Sequence, residues 1–147
     1  MDSMHAVDVL LVEDNLQDAE LTIRSFKKHK LAGNVVVVED GAEALDFIFC
    51  KGKYNERDIK HTPRVIFLDL KLPLVSGLEV LRAVKQDDRT KSIPVVVVTS
   101  SREDPDVKAA YDLGANSYVV KPVDFGSFTD AIGKLGLYWL LINQPPK

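Results

Sequence analysis

Cysteine occurs once in the 147 residues, at Cys50, so no disulfide can close within the chain. A reducing cytoplasm is the expected setting. No stretch has the length and apolarity of a transmembrane helix, and the N-terminus lacks the basic-then-apolar pattern of a secretory leader. No charge of one sign dominates either: 22 acidic residues face 19 basic ones, a net charge of −3. That balance argues against electrostatic binding of nucleic acid or an anionic membrane, and directs attention to protein partners. Internal repeats and flexible linkers are absent. The length fits one domain, residues 1–147, expected to bury roughly 68–70% of the surface its unfolded form exposes.

What is present is a series of apolar, β-branched runs: Val7–Val12, Val35–Val38, Val65–Leu68, Val95–Val98 and, more weakly, Ser117–Val120. Runs without polar alternation suit strands buried on both faces, hence a parallel sheet. Between and after them lie segments of helical spacing: Leu16–Lys30, Ala42–Cys50, Leu78–Lys85, Asp106–Leu113 and about Asp124–Leu141. The predicted class is therefore α/β, a doubly wound (βα)₅ domain with a five-stranded parallel sheet. Boundary residues agree: Asn15 can cap the first helix, Gly41 opens the second, Gly114 can end the fourth, and Pro94 sits at a strand's first position. Lys51 to Arg64 is predicted as an irregular, polar surface loop, either a solvated connection or a partner contact.

In such sheets a site forms outside the carboxyl ends of the strands, where strand order reverses. The first strand ends in Glu13-Asp14, the third in Asp69, the fourth in Thr99-Ser100 and the fifth in Lys121-Pro122. In the order 2-1-3-4-5, Asp14 and Asp69 face each other across the switch point. Two carboxylates about 4 Å apart repel by about 4 kcal/mol at an effective dielectric of about 20, so they share a proton, spread apart or bind a cation. Oxygen ligands alone point to Mg²⁺, with Glu13 acting mainly through a water or as nearby charge. A carboxylate can also attack phosphorus, and that transfer depends chiefly on position and on neutralising the phosphoryl oxygens. Asp69 is the candidate nucleophile, with the Thr99 hydroxyl and the Lys121 ammonium as donors to the phosphoryl group. Taken singly, an acidic strand end also serves as a helix cap, and a Lys-Pro pair as a loop. Five suitable side chains at one end of four strands are what point to a site.

The segments LVEDN (Leu11–Asn15), DGAEAL (Asp40–Leu45), FLDLKLPLVSG (Phe67–Gly77), IPVVVVTSS (Ile93–Ser101) and GANSYVVKP (Gly114–Pro122) resemble, in order and spacing, the receiver domains of two-component response regulators. The resemblance runs from about Val7 to Leu141, leaving 142–147 as a tail. It implies a flavodoxin-like fold and a phosphoacceptor signalling protein rather than an enzyme. It makes Glu13 and Asp14 the acidic pair, Asp69 the phosphoacceptor, Thr99 the switch hydroxyl and Lys121 the phosphate-contacting lysine. It adds the Lys71 carbonyl as a third protein ligand to Mg²⁺ and a cis peptide before Pro122. Tyr118 falls at the aromatic switch position, the alternative being a half-buried strand tyrosine. The Lys51–Arg64 insertion and the ending LGLYWLLINQPP look most like the small regulators that partner cyanobacterial and bacterial phytochromes, which implies a phytochrome-type histidine kinase as partner.

Beyond the fifth strand only one helix and a short tail remain, so the expected output is binding. The span around Leu137, Tyr138, Leu140 and Leu141 is too apolar all round for one core face, making it a candidate surface for a homodimer or a partner. The alternative is a tail that folds back onto its own chain. Three rival functions stand beside the receiver. A flavodoxin-like cofactor carrier requires a phosphate-cradling first loop, where Glu13-Asp14-Asn15 repels phosphate instead. A phosphatase requires an acid two residues after the nucleophile, where Lys71 stands. A pseudo-receiver binds proteins without phosphorylation.

Overall fold

A computed structural model describes residues 7–28, 34–100, 103–121 and 125–137. The elements alternate: β1 (Val9–Val12), α1 (Leu16–Lys28), β2 (Val35–Val38), α2 (Gly41–Ile48), β3 (Val65–Leu68), α3 (Gly77–Gln86), β4 (Val95–Thr99), α4 (Asp104–Asp112), β5 (Ser117–Val120) and α5 (Phe125–Leu137). The five strands form one parallel sheet in the order β2-β1-β3-β4-β5. Strand order reverses between β1 and β3, where Leu11 pairs with Phe67 and Val12 with Leu68.

The unalternated strands bury both faces, as their composition demands. Val9, Leu11, Val65, Phe67, Val96 and Val98 point to one side and pack with Ala19 and Phe26 of α1 and Ile132 of α5. Leu10, Val12, Ile66, Leu68, Val95 and Val97 point to the other, against α2, α3 and α4. The result is a sheet between two helical layers with every strand residue of β1, β3 and β4 buried.

Local chemistry sets the helix ends. Asn15 Oδ1 accepts from the Asp18 amide at 3.0 Å, Asp40 Oδ1 from the Glu43 amide at 2.7 Å, and Ser76 Oγ from the Glu79 amide at 3.2 Å. Gly114, at φ +108, follows α4 in a conformation that favours glycine. Pro94 lies just outside β4 and contributes only its carbonyl to the ladder, accepting from the Ile66 amide at 2.9 Å.

Several boundaries differ from expectation. β1 starts at Val9 rather than Val7, and α4 starts at Asp104 rather than Asp106, because Pro105 is compatible with a first helical turn. The second helix stops at Ile48 instead of Cys50: Cys50 takes the left-handed conformation (φ 58) while the Lys51 amide returns to the Asp46 carbonyl at 2.9 Å, a Schellman closure. The Lys51–Arg64 segment is not wholly irregular. It opens with a 3₁₀ turn, Gly52–Tyr54, and is fastened to α2. Tyr54 donates to Glu43 at 2.8 Å, and the Arg57 guanidinium lies 3.8 Å from the Phe47 ring centroid while donating to the Phe47 carbonyl. Residues 29–30 of the predicted first helix, and 124 and 138–141 of the predicted last one, lie outside the described residues.

Candidate functional site

The register of β1 and β3 carries the chain straight into the site. The Glu13 amide donates to the Val38 carbonyl at 3.0 Å and the Asp69 amide to the Val12 carbonyl at 3.1 Å, so both residues continue the ladder at the strands' carboxyl ends. Glu13 is 3% exposed and Asp69 5%, whereas Asp14 is exposed. One carboxylate oxygen from each of the three lies within 4.8 Å of the others. The Asn15 amide donates to Glu13 Oε2 at 3.2 Å, and the Lys71 amide to Asp69 Oδ1 at 3.1 Å.

Lys121 leaves β5 with its own amide bonded to the Thr99 carbonyl at 2.7 Å, which ties the ends of β4 and β5 together. Its ammonium then reaches across the sheet and donates to Asp69 Oδ2 at 2.8 Å, with Glu13 Oε1 at 2.7 Å and Asp18 Oδ2 at 2.9 Å. Thr99, the last residue of β4, is fully buried. Tyr118 pairs with Val97 in the sheet, is half-buried on the α2-α3-α4 side and stands 6.4 Å, centroid to centroid, from Tyr111. The side chain of Lys71 is exposed.

The electrostatics follow from burial. Loss of water raises the Glu13 carboxyl to about 7; the Lys121 hydrogen bond and charge pull it down, and the Asp69 charge pushes it up again. Burial opposes the charge on Lys121, but hydrogen bonds to the carboxylates of Asp69, Glu13 and Asp18 outweigh it and raise its pKa. Two buried carboxylates and a third at the rim, all oxygen donors, fit a hard divalent cation that keeps part of its water shell.

The structure thus brings Glu13, Asp14, Asp69 and Lys121 together and sets Thr99 at the adjoining strand end. Tyr118 sits along β5, three residues before Lys121, with its ring on the α4 side. Pro122 and its peptide bond lie outside the described residues, as do Tyr138, Leu140 and Leu141; Leu137 is the last described residue of α5. Asp18 was not expected in the cluster. It lies in the first turn of α1, just past the polar end of β1, and an acid at that place beside a strand-end site is the signal that could have found it.

Among solved structures, the chain is similar to that of the phosphorylated cyanobacterial phytochrome response regulator RcpA, with a TM-score of 0.88 and 32% identity over 97% of this chain and 99% of that one. It is similar to the Mn²⁺-bound form of the response regulator Rcp1, a protein of Synechocystis sp., with a TM-score of 0.87 and 33% identity over 96% of this chain and 99% of that one. The bacteriophytochrome response regulator AtBRR gives a TM-score of 0.74 and 50% identity, covering 95% of this chain and 99% of its own. Residues 9–133 match the response regulator receiver domain. With that match spanning the sheet, the carboxylates and the lysine alike, the chain belongs to the response regulator receiver family of two-component signalling.

Proposed function

We propose that this chain accepts a phosphoryl group on Asp69 from a histidine kinase, of the phytochrome type, in a reaction that requires Mg²⁺, and that it signals in the cytoplasm through altered association with other proteins. The observation that carries the reading is the Asp69 carboxylate itself. It is buried, held at Oδ1 by the Lys71 amide and at Oδ2 by the Lys121 ammonium, and placed against Glu13 and Asp14.

In this reading an Asp69 oxygen attacks phosphorus as the phosphohistidine P–N bond breaks, and the electron pair leaves with the donor imidazole. The Lys121 ammonium and the Thr99 hydroxyl then donate to phosphoryl oxygens: Thr99 ends β4, the neighbour of β3, and Lys121 reaches Asp69 from the end of β5, one strand further out. Asp14 and Asp69, the Lys71 carbonyl and, through water, Glu13 are the proposed ligands of Mg²⁺, which supplies neutralising charge for the phosphoryl oxygens when bound. Tyr118 is the proposed aromatic reporter of the Thr99 position. The role is that of a stoichiometric acceptor, not an enzyme. The divalent-cation reading is supported by the Mn²⁺-bound Rcp1 structure, and the kinase class by the similarity to phytochrome regulators. Among the described residues no helix is long and apolar enough to cross a membrane.

Intact mass after incubation with acetyl phosphate and Mg²⁺ tests the reading. One phosphoryl adduct is expected, absent in Asp69→Asn and absent with chelator. No adduct from acetyl phosphate or from a phosphorylated histidine kinase overturns it in favour of a protein-binding pseudo-receiver. Self-association through Leu137, Tyr138, Leu140 and Leu141 is the proposed output surface, and sedimentation of a strict monomer with and without a phosphoryl mimic removes it.

A further inference from the structure

The Lys121 ammonium has three N–H donors, and three carboxylates lie within 2.9 Å of it: Glu13, Asp18 and Asp69. The three partners are not equivalent. Glu13 and Asp69 belong with Asp14 to the cluster that suits a divalent cation, so their oxygens are the ones claimed when a cation or a phosphoryl group arrives. Asp18 stands outside that cluster on α1, and its backbone is held on both sides. Its amide is capped by Asn15 Oδ1 at 3.0 Å, and its carbonyl accepts from Thr22 Oγ1 at 3.0 Å.

We infer that Asp18 is the positioning residue for Lys121, the one partner that keeps the ammonium beside Asp69 after Glu13 and Asp69 turn to the cation and the phosphoryl group. This inference rests on the phosphoacceptor reading of Asp69. Lysine is a point charge on a four-carbon stem with large rotamer freedom, so its electrostatic effect depends on being held. The charge on Asp18 alone opposes an incoming phosphoryl group. Paired with Lys121 at 2.9 Å, it forms instead a dipole with its positive end towards Asp69. The pair also spans 103 positions of sequence, fixing the start of α1 to the end of β5.

The test is the initial rate of adduct formation from acetyl phosphate at saturating Mg²⁺, a small donor that does not read kinase docking. Asp18→Asn is expected to slow the reaction about tenfold, which corresponds to about 1.4 kcal/mol. Asp18→Glu should restore part of that loss. In a Lys121→Ala background Asp18→Asn should cost nothing further, because the lysine through which it acts is gone. A rate for Asp18→Asn equal to or above that of the unaltered chain overturns the inference. So does an equal loss with and without Lys121, which would mark Asp18 as a helix-start acid only.

A second measurement needs no phosphoryl donor. The ¹H–¹⁵N resonance of the Lys121 ammonium should be observable in the Mg²⁺-loaded protein and broadened in Asp18→Asn; an unchanged resonance also overturns the proposal. If the unaltered chain takes up no phosphoryl group, the phosphoacceptor reading falls, while this resonance still decides whether Asp18 holds Lys121.

Discussion

Lys121 Nζ lies 2.7 Å from Glu13 Oε1, an ion pair between side chains only 14% and 4% exposed. Burial lifts the Glu13 carboxyl from near 4.5 in the unfolded chain to about 7 in the folded one. The folded state therefore binds more protons across that interval. The stability this group contributes is present below the unfolded value and is lost as pH rises through about 7. Lys121, with its pKa raised, contributes stability that persists until well above neutrality, so it does not shape this window. In chelator, the thermal midpoint is expected to decline between about pH 5 and 7.5, and Glu13→Gln should flatten the decline. Mg²⁺ should also flatten it, because a bound cation replaces the proton. A cation-free midpoint that rises across the same interval would refute the assignment.

Removing the lysine tests the other half of the pair. Lys121→Ala leaves Glu13 and Asp69 buried without their shared ammonium, and breaking a buried pair costs about 3–5 kcal/mol. Denaturant unfolding in chelator should show a loss of about 3 kcal/mol, with a smaller loss in Mg²⁺, since the cation takes over charge balance. Equal losses in both conditions would mean that the lysine serves packing rather than charge.

Much of this frame is legible in the residues because the relevant signals are abrupt. Apolar runs lead into Glu13-Asp14, Asp69 and Thr99, and a buried strand that turns polar at its carboxyl end announces both its boundary and its site; the half-buried β5, which leads to Lys121, gives the weaker signal. Asp18 was hidden because an acid in the first helical turn already has a reading, cap and dipole, and its partner is 103 residues away. The early end of α2 was hidden because Cys50 is not a residue that favours the left-handed conformation. The Lys51–Arg64 segment looked solvated by composition. Its charges are in fact used: Lys53 reaches Glu43 at 2.8 Å and Arg57 covers Phe47.

That segment gives a prediction separate from the phosphorylation chemistry. Arg57 stacks on Phe47 and donates to its carbonyl, to Cys50 Sγ at 3.5 Å and to the His61 carbonyl at 3.0 Å. Arg57→Ala is expected to lower stability by about 1–2 kcal/mol, from the lost cation–π contact and one or two net hydrogen bonds. Proteolysis should become faster within the 51–64 segment, while the rate of adduct formation on the folded protein stays unchanged. A fall in that rate would show that the insertion is coupled to the site at the other end of the sheet.

Gly77 carries the last prediction, because the helix it opens passes over the backbone of the candidate acceptor. A Cβ at this position would lie 2.2 Å from the Asp69 carbonyl oxygen and 2.5 Å from Leu70 Cα, both main-chain atoms that cannot swing aside. The Gly77 amide meanwhile donates to the Leu70 carbonyl at 2.9 Å, so the approach is held by a hydrogen bond rather than left loose. Gly77→Ala should therefore cost about 3 kcal/mol, at the upper end of overpacking, by pushing residues 69–70 away from α3. Ser76→Ala is the matched control, since it removes the cap of the same helix for about 1 kcal/mol without approaching Asp69. Adduct formation per folded molecule should fall in Gly77→Ala and hold in Ser76→Ala. If both variants retain the full rate, the close approach stabilises α3 but does not position Asp69, and the acceptor's alignment must come from the β1–β3 ladder alone.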